Sequence, residues 1–354
     1  MDLRVEKVRT LKEKPVQAKL GFGKYFTDHM FVADWSVKEG WHDARIVPFG
    51  YIPIHPASTV LHYGAEIFEG MKAYRTADGY SIFRPFENAK RFNNSAERMC
   101  LPQIPEEDFV EAITSLINID KDWIPSAEGS SLYIRPFMFG NDESLGVHAV
   151  HNATFVIILS PVGSYYAEGL NPVKITIESE DVRAVRGGTG YAKCGGNYAA
   201  SMRAGQRAEE KGFTQVLWLD GVERKYIEEV GAMNVMFKIN GEIVTPKLTG
   251  SVLPGITRKS CIEILRDWGY VVNERLLSVD ELISAAENGT LEEAWGTGTA
   301  AVVSPIGHLC YKDKDHIVSE NKIGALTQKL YDELTGIQWG KKEDKRGWCY
   351  KVKA

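Results

Sequence analysis

No apolar run in this sequence is long enough to cross a membrane; the longest, at 153–159, has the length of a single strand. Cysteine is sparse and unpatterned. Cys100, Cys194, Cys261, Cys310 and Cys349 are odd in number, and no two stand at metal-ligand spacing. That argues against a disulfide framework and against a zinc knuckle or other metal site, and a reducing compartment is expected. Basic charge is not in excess either. Lysine and arginine number 42 against 47 acidic residues, a formal net charge of −5 with both signs interspersed, so nucleic acid is not an expected partner. Residues 1–19 lack an apolar core of signal-peptide length, and Asp2, Glu6 and Glu13 argue against a transit peptide. A soluble, cytoplasmic protein with no membrane partner is expected. Internal repeats and low-complexity segments are also missing.

What is present is ordinary globular material. The 354 residues suggest about two domains, and 44% hydrophobic with 25% charged content fits a packed soluble fold. In the first half, residues 60–68 show helical spacing through Leu61, Ala65 and Phe68. Residues 71–75 and 80–84 flank Asp78-Gly79 as a β-hairpin. A helix is expected over 87–100, with Ala89, Phe92, Ala96 and Met99 on one face and Arg91 beside it. Phe109, Ala112, Ile113, Leu116 and Ile117 mark another helix, and 131–139 and 153–159 read as buried strands. Pro161, Gly163, Gly169 and Pro172 then break the pattern. The expected organisation is a smaller N-terminal α+β domain over 1–163, a linker over 164–172, and a larger C-terminal domain over 173–354. Within the latter, 173–178 and 215–219 read as strands and 199–211 as a helix ended by Gly212. Asn240-Gly241 signals a type I′ hairpin, and Ser278 with Glu281 a capping box. Hairpins mixed with separated helices indicate an α+β fold.

Four stretches could carry chemistry. Residues 186–201 hold Gly187, Gly188, Gly190, Gly195 and Gly196 around Lys193, with Tyr191 and Tyr198 alongside. So many glycines suit a chain that turns sharply or meets something closely, and a lysine held there and partly dried becomes a nucleophile towards carbonyls. A flexible loop with a solvated lysine is the other reading of the same residues. Leu253-Pro-Gly-Ile-Thr-Arg258 leads into a helix whose first N–H groups could bind an anion, or is an ordinary helix start. Gly296-Thr-Gly-Thr-Ala-Ala301 is a poor dinucleotide fingerprint and reads as a phosphate-binding loop or a tight turn between strands. Glu228-Glu229-Val230-Gly231 places two acids at the end of an apolar strand, where an inward carboxylate would need a cation; a solvated strand end is the alternative. Together a reactive lysine, two anion-binding turns, an acid and a phenol match what pyridoxal phosphate needs.

Longer motifs sharpen this. Leu61-His-Tyr-Gly-Ala-Glu-Ile-Phe-Glu-Gly70, Tyr133-Ile-Arg-Pro136, Lys193-Cys-Gly-Gly-Asn-Tyr198, Glu229-Val-Gly231, Leu253-Pro-Gly255 and Gly298-Thr-Ala300 occur in one order along almost the whole chain. In these the sequence resembles the branched-chain amino-acid aminotransferases, fold-type IV pyridoxal-phosphate enzymes, of the class containing the mammalian members. The resemblance implies a two-domain α+β architecture with the active site between domains near a dimer interface. It further implies ping-pong transfer of the amino group of leucine, isoleucine or valine to 2-oxoglutarate. Lys193 matches the Schiff-base lysine, Glu229 the acid at the pyridine nitrogen, Tyr198 the phenol at the cofactor's 3′-oxygen, and Arg91 the phosphate-binding arginine. Ile256 and Thr257, through backbone N–H groups, with Thr299, match the rest of the phosphate cradle. The implied substrate pocket consists of Phe22, Tyr63, Phe68, Tyr133 and Tyr165 with Ala300 at the carboxylate end. Arg135 is placed for the γ-carboxylate of glutamate. Leu145 and Val147 match residues that reach the neighbouring subunit's site in a homodimer.

Three other readings stay open on the residues alone: a lyase or transaminase of D-amino or aminated chorismate substrates, a nicotinamide oxidoreductase built on Gly296, and a non-catalytic binding protein. Ala232 departs from the threonine that many relatives carry after Glu-Val-Gly, which puts substrate affinity in question rather than reaction type. His148 and His151 stand three apart with no acid or cysteine to complete a metal site. Where mammalian members carry a Cys-x-x-Cys redox pair, Ala301 and Ser304 stand here. No thiol switch is therefore expected at these positions: peroxide treatment followed by thiol reductant should leave no reversible inactivation that maps to 301–304, and finding one would refute this.

Overall fold

A computed structural model of the chain describes residues 2–164 and 170–353. By packing, the chain separates into two units. The first comprises Met1–Ala167, Ala192–Gly195 and Ile337–Ala354; the second comprises Glu168–Tyr191 and Gly196–Gly336. Both are α+β, each built on a nine-stranded sheet.

In the first unit the sheet runs Arg4–Val5, Gly40–Pro48, His29–Ser36, Asn152–Val162, Ser131–Gly140, Met71–Thr76, Gly79–Phe83 and Cys349–Lys353, and the short strand Glu66–Phe68 also pairs with Ser131–Gly140. The pairings are antiparallel except for Arg4–Val5, which lies parallel to Gly40–Pro48. Residues 131–162 supply apolar side chains in long runs, as expected of strands buried on both faces. The helices Pro85–Arg98 and Glu106–Ile119 cover one face with the apolar stripes expected from the sequence. Phe155 is the hub of that core, its ring 5.5 Å from Phe92, 5.8 Å from Phe109 and 5.9 Å from Phe31 between centroids.

Residues 60–68 form two elements, not one helix. The helix Thr59–Tyr63 ends at Gly64, whose φ of 60° is left-handed, and Glu66–Phe68 continues as a strand. Nine residues are too few for apolar spacing to separate these outcomes, and the glycine decides. The boundary of the units also differs from the expected 1–163 and 173–354 division. Ala192–Gly195, with Lys193, packs with the first unit: Phe68 N–H bonds the Lys193 carbonyl at 2.9 Å, Ser95 Oγ accepts the Lys193 N–H at 2.9 Å, and Cys194 lies in the first core. Residues 349–353 return to the first sheet as the antiparallel partner of Gly79–Phe83.

The second unit's sheet runs Ile227–Val230, Gln215–Leu219, Val173–Ile177, Val302–Tyr311, Leu291–Gly298, Asn234–Ile239, Glu242–Pro246 and Val272–Arg275, with Lys314–Ile317 beside Val302–Tyr311. Asn240 and Gly241 take φ of 50° and 77°, the left-handed pair of a type I′ turn. The helix Val279–Glu287 starts at Ser278, whose hydroxyl accepts the Glu281 N–H at 3.1 Å. Glu281 itself reaches Arg275 instead of closing the capping box. Residues 199–211, expected as one helix, divide into Gly195–Ala199 and Met202–Glu210. Among the described residues no helix is long and apolar enough to cross a membrane.

Candidate active site

Lys193 sits where a lysine can lose its proton. Its backbone is fixed at both ends by the two hydrogen bonds already described, and its Nζ stands 4.7 Å from the centre of the Phe68 ring. Burial, reinforced by the Arg91 charge and against the opposing pull of Glu69, brings its pKa down from 10.5 to about 8. A lysine at the ordinary value of about 10.4 would hold under roughly one per cent of its amine free at pH 8; the lowered value makes a far larger share free there.

Glu69 is the anchor of the charges around it. It is fully buried, and Arg91 grips it with both arms, Nε to Oε1 at 2.7 Å and Nη2 to Oε2 at 2.9 Å. Asn88 Nδ2 at 2.7 Å and the Gly70 N–H at 3.2 Å complete its acceptor shell. Burial pushes this carboxyl up, but Arg91, by charge and hydrogen bonds, with Lys193 and Asn88, reverses that and holds it below the usual carboxylate range. Arg91 and Asn88 share the inward face of the helix Pro85–Arg98 at the spacing of one turn.

An aromatic wall adjoins the lysine. Arg135 stacks over Phe68 at 4.8 Å and over Tyr133 at 5.3 Å, and its Nη2 donates to the Tyr133 hydroxyl at 3.1 Å. Phe22 meets Tyr133 edge-on at 4.9 Å. The structure thus brings together five of the expected residues, Phe22, Phe68, Tyr133, Arg135 and Lys193. Tyr63 lies on the neighbouring helix Thr59–Tyr63 and bonds the Leu145 carbonyl, while the Leu145 and Val147 side chains are exposed. Tyr165, expected in the same pocket, lies outside the described residues.

The second unit groups the other expected residues. Glu229 is buried at the end of Ile227–Val230, its Oε2 2.8 Å from Arg183 Nε; its Oε1 accepts Leu253 N–H at 3.0 Å and Asn234 Nδ2 at 3.2 Å. The inward reading of this acid is the one the structure takes, and Arg183 is its cation. Ile256 and Thr257 open the helix Ile256–Asp267 after Gly255, so their N–H groups have no intrahelical acceptor. Asn234, which ties Glu229 to Leu253 through a further bond to the Leu253 carbonyl, stands opposite Thr297 in the sheet. Among the described residues Thr297 Oγ1 is buried without a hydrogen-bond partner. Residues 299–301 form a turn between the antiparallel strands Leu291–Gly298 and Val302–Tyr311, so a strand follows where a nucleotide fold needs a helix. Thr299 and Ala300 lie in that turn. Tyr198 is half-buried on the short helix Gly195–Ala199. The His148 and His151 rings stack at 4.9 Å, and among the described residues no group of three His, Cys, Asp or Glu could hold a metal ion.

Glu69, Ser95, Arg183 and Asn234 were not singled out in the sequence. Glu69 carried a usable signal, an acid at the edge of the apolar Glu66–Phe68 segment, the same reasoning that marked Glu229. Arg183 and Asn234 become partners only through pairing across the sheet and loops.

Comparison with known proteins agrees with this geometry. The family model described as amino-transferase class IV matches residues 66–309. The branched-chain-amino-acid aminotransferase 2 of Bacillus subtilis is 56% identical over 353 residues, covering 99% of this chain and 97% of its own. That of Mycolicibacterium smegmatis is 46% identical over 95% of this chain and 93% of its own. Among solved structures, the Escherichia coli branched-chain amino acid aminotransferase superposes with a TM-score of 0.76 at 26% identity, over 92% of this chain and 99% of that one. A second branched-chain amino acid aminotransferase, solved with pyridoxamine 5′-phosphate, gives 0.75 at 30% identity, over 90% of this chain and 97% of that one. The fold, the dried lysine and its flanking charges, and full-length relatives of this kind lead to one conclusion: the chain belongs to the class IV amino-transferases, among the branched-chain-amino-acid aminotransferases.

Proposed function

We propose that this protein reversibly transfers the amino group of L-leucine, L-isoleucine or L-valine to 2-oxoglutarate, giving branched-chain 2-oxo acids and L-glutamate, with pyridoxal 5′-phosphate as cofactor. The observation that carries the proposal is the Lys193 amine, brought down to about 8 beside a wall of Phe68, Tyr133 and Arg135.

The residues present fit that cofactor. In the second unit the N–H groups of Ile256 and Thr257 at the helix start and the Thr299 turn suit a phosphate, and in the first unit the Arg91 guanidinium suits an anion. The Thr297 hydroxyl, without a hydrogen-bond partner among the described residues, is a further donor two residues before Thr299. Glu229, fixed by Arg183, suits a pyridine nitrogen, and Tyr198 a phenolic oxygen. Bound there, the cofactor would supply an aldehyde that accepts an amine and a ring that takes up the electrons left when the substrate Cα loses its proton. Lys193 supplies the free amine that can accept and return that proton near pH 8. Arg183 keeps Glu229 in one orientation and offsets the cost of burying its charge.

The pocket must serve two kinds of side chain. In the first unit Phe22, Tyr63, Phe68 and Tyr133 offer apolar contact to a branched aliphatic group, whose burial contributes roughly 1.5–3 kcal/mol; the same role is assigned to Tyr165, outside the described residues, and to Ala300 of the second unit on the family resemblance alone. Arg135, with the Tyr133 hydroxyl that it already bonds, offers the charge for the γ-carboxylate of glutamate. The active form is a homodimer in which Leu145 and Val147 reach the neighbouring site. Their apolar side chains are 66% and 80% exposed here, which supports such a role.

Two tests follow. Adding L-leucine to the cofactor-loaded enzyme should remove its near-visible absorption, and 2-oxoglutarate should restore it with the leucine nitrogen recovered in glutamate. Lys193→Ala should lower turnover by at least about 10²–10⁴-fold. A spectrum indifferent to leucine, or near-normal turnover in the variant, would count against the proposal. In sedimentation velocity the wild type should run as a dimer and Val147→Asp should shift it towards monomer; a wild-type monomer with full activity would remove the shared-site assignment.

A further inference from the structure

Glu66 lies on the face of its strand that meets the lysine. In Glu66–Phe68 the outer two residues point to one side and Ile67, fully buried, to the other. Their Cα atoms are then about 7 Å apart. On that side the Phe68 ring carries two cations, Lys193 at 4.7 Å and Arg135 at 4.8 Å. The Glu66 carboxylate is held in place there because its Oε1 accepts the N–H of Gly195, two residues past Lys193. A side chain at Gly195 would collide with this carboxylate, so the glycine makes the clamp possible.

Among the described residues Arg135 has no carboxylate partner of its own. Its contacts are the Phe68 and Tyr133 rings and the Tyr133 hydroxyl; among the described residues no carboxylate reaches it at ion-pair distance, and its buried Nε has no hydrogen-bond partner. With a branched aliphatic side chain beside it, such a half-buried cation would be poorly compensated. With a γ-carboxylate beside it, an uncompensated arginine would hold the dicarboxylate strongly and favour one half-reaction over the other.

We propose that Glu66 sets this balance: clamped on Gly195, it acts across space as the counter-charge of Arg135, easing occupation by apolar side chains and restraining the affinity for dicarboxylates. The inference rests on the assignment of Arg135 to the γ-carboxylate. Burial raises the Glu66 carboxyl above the usual range, opposed by the Gly195 N–H and the Arg135 charge, so the two groups sense each other. Glu66 is a specificity-determining residue and takes no proton from the substrate.

The test uses the holoenzyme and two non-reacting acids, glutarate for the dicarboxylate and 4-methylpentanoate for the branched side chain, with dissociation constants from calorimetry at pH 8 and low salt. Glu66→Gln keeps the acceptor for Gly195 and removes the charge. It should tighten glutarate relative to 4-methylpentanoate by roughly three- to tenfold, the size expected of one unit charge several ångströms away at intermediate screening. The gain should shrink as salt is added, which a merely structural change would not produce. Glu66→Asp should stay near the wild-type ratio, and Glu66→Ser carries the same expectation as Gln if Gln fails to fold. Arg135→Gln should collapse the preference for glutarate. If it does and the ratio is unchanged in the Glu66 variants, this inference alone is overturned; if Arg135→Gln leaves the ratio unchanged, the γ-carboxylate assignment falls and the inference with it.

Discussion

The buried ion pair between Glu69 and Arg91 is the constraint on which the first unit's half of the chemistry depends. A fully buried carboxylate without a cation would not stay charged, and a buried arginine without an anion would be as costly. Bidentate pairing resolves both and locks the helix Pro85–Arg98 to the segment after Phe68. The same helix presents Ser95 to the Lys193 backbone. The lysine's position and its electrostatic surroundings therefore come from one packing arrangement. Burial lowers its pKa, Arg91 adds to that, and Glu69 limits the fall, leaving an amine that is both available and basic near pH 8.

The second unit solves a parallel problem with different residues. Glu229 is buried against Arg183, and Asn234 and Leu253 N–H take its other oxygen. The result is an acid whose charge and direction are both fixed, next to a helix start that leaves its first N–H groups for an anion. In each unit a buried carboxylate sits on a strand or just past its end, and its arginine arrives from elsewhere in the chain.

Much of this was legible in the sequence where the signal was local. Lys193 stood out among its glycines, the Ser278 cap and the Asn240-Gly241 turn formed as expected while the reciprocal Glu281 half of the capping box did not, and Glu229 was marked as an acid in apolar company. Three of those glycines have a physical reason: Gly187 takes a left-handed φ of 83°, and a side chain at Gly190 would meet the Ser251 backbone and at Gly195 the Glu66 carboxylate. What stayed hidden was set by pairing at a distance. Arg183 lies 46 residues from Glu229, and no local pattern links them. Glu69 was in view inside a quoted motif, but its importance appears only when Arg91 and Asn88 fold onto it. The helix expected over 60–68 failed because Gly64 turned the chain. Lys193 packs with the first unit although it follows the linker, because hydrogen bonds to Phe68 and Ser95 outweigh sequence position.

The central claim is that burial and a neighbouring arginine lower the Lys193 pKa to about 8, well below that of an exposed lysine. Competitive amine labelling of the cofactor-free protein across pH 6 to 11, read peptide by peptide, measures this directly. Labelling at Lys193 should rise with pH about a midpoint near 8, well before the exposed lysines. A midpoint near 10.5, shared with the surface lysines, would contradict it.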